Sequence, residues 1–356
     1  DGNPSGLTQS DRRAMVDNIP AAMIERVEVI TNPSAKYDPD GMGGIINIIL
    51  KRGRFEGMNG NASISVGQYD QFNTSAMFNF RQEKFNIFTN ASYREGNHEG
   101  DGYRTYIKEY LNDSTATTTQ NTSRVRMRES ASLRLGGDYY VTEKQTLSLS
   151  TTFSEHDNTS KHIILHIYPQ SDTTVTNEIN SGTTKAVDLS YVRDYKDPQQ
   201  QLKLDISYSR SDVNEEQSQI DTVDTDEWRT NLVVKGDYTH PFQEGTILET
   251  GFKSTIKDFN SGLQYLDVPY DFIYGEDIHA AYATLAHDFN TVWGIKLGLR
   301  AEQVDARIRM NDGGTQQNTE NIFTAIIDSA ISKAPYSNQY FKLYPSVFWM
   351  YTISDK

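Results

Sequence analysis

The sequence contains no cysteine, no long apolar run and no excess of basic residues, and each absence excludes a class of protein. Without cysteine, the chain has no disulfide framework and no thiolate metal site. No stretch approaches the roughly 20 consecutive apolar residues that a transmembrane helix needs. The 34 Lys and Arg residues are outnumbered by 48 Asp and Glu residues, which gives a net charge of −14. Nucleic acid is therefore not an expected partner, because a phosphate-binding surface needs a basic patch.

Average hydropathy does not decide between a soluble and a membrane protein. The mean hydropathy is −0.64 and 36% of the residues are hydrophobic, values that are typical of a soluble chain. A membrane β-barrel gives similar values, since only alternate residues face lipid and the others face a polar lumen or loops. The 21 tyrosines suit a membrane–water boundary, although an ordinary β-sandwich is also rich in tyrosine.

From about residue 58 onward, apolar and polar residues alternate with the period of a β-strand. In 147–154, for example, the odd positions are apolar or neutral and the even positions are small and polar. About twelve candidate strands lie near residues 60–67, 72–81, 84–94, 126–140, 147–153, 183–195, 202–209, 229–239, 247–259, 278–289, 295–302 and 341–353. Many are ten residues or longer, whereas globular strands usually have about five or six residues and membrane strands about nine or more.

The connections between these segments differ in length. Tight turns are predicted at 68–71, 81–84, 141–144, 196–199, 240–245 and 289–291, and long polar loops at 95–123, 155–182, 210–227, 260–277 and 308–340. Membrane barrels have short periplasmic turns and long extracellular loops, whereas a soluble sandwich has no reason for this asymmetry. The pattern therefore predicts a mainly β protein with a transmembrane antiparallel β-barrel.

Residues 1–53 have a different pattern. A short helical turn is expected at 21–26, followed by a short buried strand around Val27, Val29 and Ile30. A loop rich in Pro, Asp and Gly then leads to a second strand, Ile45–Leu50. Two short strands around a glycine loop predict a small α/β module. The chain opens on turn-forming residues and stops in the middle of a strand pattern, so we expect it to be a piece of a longer protein.

The glycine loop resembles two ligand-binding motifs but completes neither. A dinucleotide fingerprint that began at Gly41 would need a third glycine where Ile46 stands. Asp38 and Asp40 lack the later ligands and the closing glutamate of a calcium loop. We therefore interpret this segment as a turn.

The seven histidines and the many serines show no catalytic arrangement. His162 and His166 have the spacing of a helical zinc motif but lack its glutamate, and they lie in a segment with the pattern of a loop or strand. No serine lies in a nucleophile elbow. We predict no enzyme activity, no catalytic residues, no metal site and no cofactor.

The stretch 19–53, IPAAMIERVEVITNPSAKYDPDGMGGIINIILKRG, resembles the end of the plug domain of TonB-dependent receptors. The resemblance lies in the Ile-Pro lead-in, two short strands, an Asn-Pro-Ser-Ala-x-Tyr loop and three glycines, all in order. The signature residues are Pro20, Glu25, Arg26, Glu28, Asn32, Pro33, Tyr37, Gly41, Gly43, Gly44 and Asn47. The remainder, for example 294–302, is similar to the barrels of such receptors from Bacteroidetes.

This resemblance implies a domain organisation and a function. Residues 1–53 are expected to be the C-terminal part of a small α/β plug, and 54–356 the N-terminal portion of an outer-membrane barrel, with about 12 of roughly 22 strands. The TonB-binding box would precede residue 1, and the closing strands would follow residue 356. Such a receptor binds an extracellular ligand and imports it when the inner-membrane TonB complex rearranges the plug. Its partners are outer-membrane lipid, the TonB complex and a ligand such as a siderophore, glycan or peptide, and a surface-exposed substrate-binding lipoprotein is a further candidate.

Loop aromatics are the candidate ligand contacts, because rigid rings give a large contact area at low entropic cost. They are Tyr103, Tyr106, Tyr110, Tyr168, Trp228, Tyr265 and Tyr270. The alternative is that these rings anchor loops or form an aromatic girdle at the membrane surface. Two other functions stay open at this stage, a structural plugged barrel in an envelope complex and a secreted β-sandwich adhesin.

Overall fold

The computed structural model describes residues 24–30, 35, 37, 45–50, 56–109, 115–168, 172–219, 222–243, 245–265, 268–312 and 336–351. Within these residues the chain forms fourteen strands and no helix. The part of the chain described therefore contains no helix that could span a membrane. The strands are β1 (Ile24–Ile30), β2 (Ile45–Leu50), β3 (Gly57–Val66), β4 (Phe72–Gln82), β5 (Phe85–Glu109), β6 (Thr115–Thr142), β7 (Gln145–Tyr168), β8 (Asp172–Asp194), β9 (Gln201–Ser218), β10 (Thr222–Gln243), β11 (Thr246–Tyr265), β12 (Val268–Asp288), β13 (Trp293–Asp312) and β14 (Tyr336–Tyr351).

Strands β3 to β14 form one antiparallel sheet in which every strand pairs with its neighbours in sequence. The prediction of twelve long strands is thus confirmed. The alternative of a β-sandwich is wrong, because all twelve strands belong to a single sheet rather than to two packed sheets. A continuous up-and-down sheet with strands of this length is the architecture of a barrel wall.

The two faces of this sheet differ in chemistry. We call the face that carries Leu297 and Leu299 the outer face and the face that carries Arg300 the inner face. The outer face has large apolar side chains that are more than a third exposed: Leu133, Leu149, Phe153, Leu189, Ile206, Phe252, Leu285, Leu297, Leu299 and Val347. An apolar surface that continues over so many strands faces lipid in membrane barrels. The inner face carries the small, polar and charged residues of the alternation.

The apolar belt of the outer face is bounded by aromatic rings at one end and by charges at the other. Near the short turns, the rings of Trp293 and Tyr351 lie 4.5 Å apart, and those of Phe85 and Tyr139 lie 5.1 Å apart. At the opposite boundary, ion pairs such as Arg210–Asp212 (2.7 Å) begin on the same face. Aromatic rings suit the membrane–water boundary, so the belt is framed as in a membrane barrel.

The predicted long loops are largely wrong, because the strands continue far beyond the apolar belt. Segments 95–109, 115–123, 155–168 and 172–182 all belong to strands, and the register of β6 with β7 extends to Thr119 and Tyr168. Beyond the belt the outer face no longer has to be apolar. Polar and charged residues there join apolar ones such as Met127 and Leu165, so the period-two signal weakens while the backbone pairing continues. We call these parts of the strands the extensions. Most of 308–340 lies outside the described residues.

The predicted tight turns are confirmed in position but not all at the same end of the sheet. The turns at 83–84 and 143–144 connect strands at the girdle end. The turn around 68–71 lies at the opposite end, since successive connections of an antiparallel sheet alternate between its two edges. There it packs against the extension of β5, where the Asn97 amide donates to the Tyr69 carbonyl oxygen at 2.9 Å.

Strands β1 and β2 form an antiparallel hairpin in which Ile30 pairs with Ile45 and Val27 with Ile48. Both predicted strands therefore exist. The prediction that the first is buried is wrong, because Val27 is 52% and Val29 is 69% exposed. A two-stranded ribbon has no second layer of its own to cover its faces. The expected helical turn is also wrong for 24–26, which belong to β1, and 21–23 lie outside the described residues.

Candidate functional site

The segment between β1 and β2 touches the inner face of the large sheet at Ala35. Ala35 is 8% exposed, and its carbonyl oxygen accepts a hydrogen bond from Arg300 Nη1 at 3.4 Å. On the same strand, a Cβ added to Gly298 would lie 3.2 Å from the Cβ of Ala35. Gly298 therefore permits this close approach, and any larger residue at 298 would push Ala35 away from the wall.

Arg300 belongs to a buried polar cluster that crosses strands β10, β12 and β13. Its Nε donates to Glu302 Oε1 at 2.6 Å, and its guanidinium carbon lies 5.7 Å from the centre of the Tyr282 ring. The Tyr282 hydroxyl donates to Asp237, which also pairs with Lys235 Nζ at 2.7 Å. Arg300 is only 1% exposed. Since a buried charge needs partners, this cluster fixes the guanidinium under Ala35.

The polar lining continues over the inner face of the neighbouring strands. Ser190 Oγ donates to Asp205 Oδ1 at 2.7 Å, and Ser207 Oγ donates to Asp188 Oδ1 at 2.6 Å. Lys203 Nζ lies 3.1 Å from Asp205 Oδ2. The wall that faces Ala35 is thus lined by hydroxyl and ionised groups, as in the lumen of a membrane barrel.

A basic patch lies higher on the same face, in the extension of β6. Arg124, Arg126 and Arg128 occupy alternate positions there, and alternate positions of a strand share a face. Arg124 pairs across the sheet with His162 on β7. These arginines were not among the predicted site residues, although the pattern Arg-x-Arg-x-Arg is visible where the predicted loop 95–123 gives way to the predicted strand 126–140. Arg300 and Ala35 were also missed, because no local signal links positions 265 apart.

Those of the predicted ligand-contact aromatics that the structure describes lie on strands and do not converge. Tyr103 is 82% exposed on β5, while Tyr106 accepts a hydrogen bond from Arg104 Nη1 at 2.8 Å. Trp228 lies on β10 with the Arg210 guanidinium 5.5 Å from its ring. Strand alternation puts Tyr103 and Trp228 on the outer face, and Tyr106 and Tyr270 on the inner face. Tyr168 and Tyr265 are described only as the last residues of β7 and β11, and Tyr110 lies outside the described residues. A role for any of them in ligand contact stays a prediction.

The plug signature residues are only partly within the described chain. Arg26 Nε and Glu28 Oε1 lie 2.8 Å apart on β1, and Tyr37 is half-buried. Glu25 and Asn47 are placed in β1 and β2, where Asn47 pairs with Glu28. The remaining signature residues, Pro20, Asn32, Pro33, Gly41, Gly43 and Gly44, lie outside the described residues.

The two-faced sheet, its aromatic boundary and its polar lumen define a membrane-spanning β-barrel wall. The sequence model of the Outer membrane protein beta-barrel family matches residues 177–356, just over half of the chain. The chain belongs to this family and is an outer-membrane protein.

Solved structures with a similar strand arrangement are outer-membrane receptors. The pyoverdine outer membrane receptor FpvA from Pseudomonas aeruginosa PAO1 is 9% identical, with a TM-score of 0.42 over 94% of this chain and 78% of that chain. The siderophore receptor PiuA from Acinetobacter baumannii is 8% identical, with a TM-score of 0.38 over 83% and 67%. The alcaligin outer membrane receptor FauA from Bordetella pertussis is 12% identical, with a TM-score of 0.36 over 92% and 68%. The family assignment rests on the sequence match alone.

Proposed function

We propose that this protein is a TonB-dependent outer-membrane receptor, which binds an extracellular ligand and imports it by energy-coupled rearrangement of a plug. The observation that carries the proposal is the contact of Ala35 with Gly298 and Arg300. A segment from the hairpin at the start of the chain lies against the polar inner face, where a plug would lie. The resemblance of 19–53 to a plug end supports the same interpretation.

The chemistry of this contact suits a plug that has to move. The Ala35 carbonyl oxygen accepts a hydrogen bond from Arg300, and the Ala35 side chain lies over Gly298, where an added Cβ would approach it to 3.2 Å. Polar contacts to a wet wall can be exchanged for water, whereas a dry apolar contact would lose its burial when the plug moved. We assign 1–53 to the plug and 54–356 to the barrel, in contact with lipid outside and, through a TonB box, with the inner-membrane TonB complex.

The imported compound distinguishes siderophore, glycan and peptide receptors, and a depletion assay identifies it. Isogenic cells with and without this protein are incubated with a defined mixture of ferric siderophores, oligosaccharides and peptides, and the medium is followed by mass spectrometry. The expected result is depletion of one class of compound that requires this protein, TonB and the proton-motive force. Depletion that is independent of TonB would contradict the proposal.

The second candidate function, a structural plugged barrel within an envelope complex, makes a different prediction in the same assay. It predicts that cells with and without this protein deplete the same compounds from the medium. A surface lipoprotein that copurifies with the barrel in either case would identify the expected lipoprotein partner.

A further inference from the structure

The extension of β6 concentrates positive charge on the inner face of a chain that is acidic overall. Arg124, Arg126 and Arg128 lie on this face at alternate positions, about 7 Å apart along the strand. These residues lie beyond the apolar belt, whose outer-face members on β6 include Leu133 and Leu135. Three guanidinium groups so close together repel one another unless anions lie between them.

The neighbouring strands bring little negative charge to these arginines. Across β5, β7 and β8 in register, Arg126 faces His98, Ser160 and then Glu178. The corresponding positions for Arg124 are Gly100, His162 and Thr176, and those for Arg128 are Gly96, Asn158 and Asn180. Glu178 is thus the one carboxylate among these nine paired positions, and it already accepts a hydrogen bond from Ser160 Oγ at 3.3 Å.

Arg124 Nε and His162 Nε2 are buried without a hydrogen-bond partner among the described residues, and these two residues pair directly across β6 and β7. Burial and then the charge of Arg124 lower the pKa of His162, and the same two causes lower the pKa of the Arg126 guanidinium. The buried Arg124 Nε is a donor without an acceptor, which is costly, and an anion placed beside it would accept its hydrogen bond.

Open space lies over strand β5, at the positions that pair with Arg124 and Thr122. Gly100 is the register partner of Arg124, and Gly102 is the partner of Thr122. A Cβ added at either glycine would meet no atom within 4 Å, and neither glycine has a positive φ that only glycine tolerates. Their backbone conformation does not require glycine, so their effect is to keep a side-chain-sized volume free beside the arginines.

We propose that Arg124, Arg126 and Arg128, together with His162, bind an anionic group of the ligand, a carboxylate or a phosphate, in the space over Gly100 and Gly102. The planar guanidinium fork matches both anions with paired hydrogen bonds. The ligand is a soluble molecule rather than a lipid, because the patch is on the inner face, opposite to the apolar belt. A basic patch in an acidic protein also attracts anions selectively to this place. That the bound anion is part of the imported cargo rests on the proposed function, whereas anion binding at this site does not.

Binding of simple anions to the full-length protein in detergent tests this site. The probes are citrate and pyrophosphate, with sorbitol as a neutral control, measured by calorimetry at low ionic strength. Citrate or pyrophosphate should bind and sorbitol should not. Arg126→Gln should weaken anion binding about tenfold or more, because a hydrogen bond to a charged group is lost. The matched control Lys161→Gln removes the same charge from the outer face of β7 and should leave binding unchanged.

Two further variants distinguish a binding site from a structural role. Glu178→Gln should strengthen anion binding, because it removes the competing carboxylate. Gly100→Val keeps every charge and favours a strand, and it should weaken binding by filling the free space, whereas Ser123→Val on the outer face should not. Equal effects of Arg126→Gln and Lys161→Gln, or no anion binding by the wild-type protein, would overturn the proposal. Anion binding that depends on Arg126 in a protein without TonB-dependent uptake would preserve the site and refute the proposed function.

Discussion

The Arg300 guanidinium donates from Nη1 to the carbonyl oxygen of Ala35, across a separation of 265 positions in the chain. This contact joins the segment that follows β1 to strand β13 of the barrel wall. The Nε atom of the same guanidinium lies 2.6 Å from Glu302 Oε1. The wall and the segment that contains Ala35 therefore share one buried cation, so changes at Arg300 act on both.

Replacing Arg300 with methionine should destabilise the protein. The change removes the Nε donor to Glu302, which is itself buried, and the cost of breaking a buried ion pair on one side is about 3–5 kcal/mol. The free energy of unfolding, measured by urea titration in detergent, should fall by about this amount. The double variant Arg300→Met/Glu302→Met should recover most of the loss, since neither charge of this pair is then left buried without its partner. A single variant as stable as the wild type would contradict the buried pair.

Because the sheet spans the membrane, the destabilisation caused by a new charge on the outer face of β7 should depend on its position along the strand. Leu149 and Leu165 are both partly exposed leucines on the outer face, but only Leu149 lies within the apolar belt. Leu149→Arg should destabilise the barrel in lipid vesicles by about 2–4 kcal/mol and Leu165→Arg by about 0–1 kcal/mol. Equal losses, measured as unfolding free energies in vesicles, would show that the belt is misplaced.

Two glycines with different surroundings should respond differently to the same substitution. A Cβ at Gly251 would meet the Gly236 carbonyl oxygen and the Tyr282 hydroxyl group, which donates to Asp237. Gly251→Val should therefore lower the unfolding free energy by about 1–3 kcal/mol through overpacking. Gly102→Val, where the added atoms meet open space, serves as the control and should cost little. Equal stability of the two variants would contradict the inner-face packing.

The tryptophans test the position of the girdle. Trp293 and Trp349 lie 6.0 Å apart near the short turns, at the predicted membrane boundary. In variants whose only tryptophan is one of these two, with Trp228 also replaced by phenylalanine, fluorescence should be quenched more by lipids brominated near the headgroup than by lipids brominated deep in the chains. Stronger quenching by the deep label would place these rings in the middle of the bilayer.

The lipid-facing part of the fold could be predicted from the sequence, because lipid imposes apolar residues on one face and leaves the other polar. This is why 202–209 and 295–302 were recognised as strands and why the number of strands was right. The extensions could not be recognised, since Glu155, Asp157 and Lys161 alternate there with the equally polar His156 and His162. Backbone hydrogen bonds, which leave no mark on composition, hold these segments in the sheet.

The candidate site was predictable only in part. The plug resemblance indicated which segment lies in the lumen, but not that Ala35 is its contact residue. In the sequence, Gly298 is one of many residues on the polar face of a predicted strand. Its role in making room for Ala35 follows only from the folded structure. The aromatics were selected as loop residues, and the strand extensions then distribute them over both faces.

The most direct measurement of the central claim, that 1–53 is a plug that moves, uses a reversible covalent bond between position 35 and the wall. The variant Ala35→Cys/Gly298→Cys can form a disulfide in a chain without other cysteines, because the two Cβ atoms would lie 3.2 Å apart, close to the roughly 3.5–4.5 Å of natural disulfides. Ser346→Ala is included in the variant and in both single-cysteine controls, since the Cβ at 298 would meet the Ser346 hydroxyl group.

The readout is TonB-dependent depletion of the cargo compounds, with disulfide formation followed by gel mobility. The account predicts that the oxidised variant binds ligand but does not import it, and that a reductant restores import to the level of the single-cysteine controls. Import at the control rate with the disulfide fully formed would contradict a moving plug. Failure of the disulfide to form would contradict the placement of Ala35 against the wall.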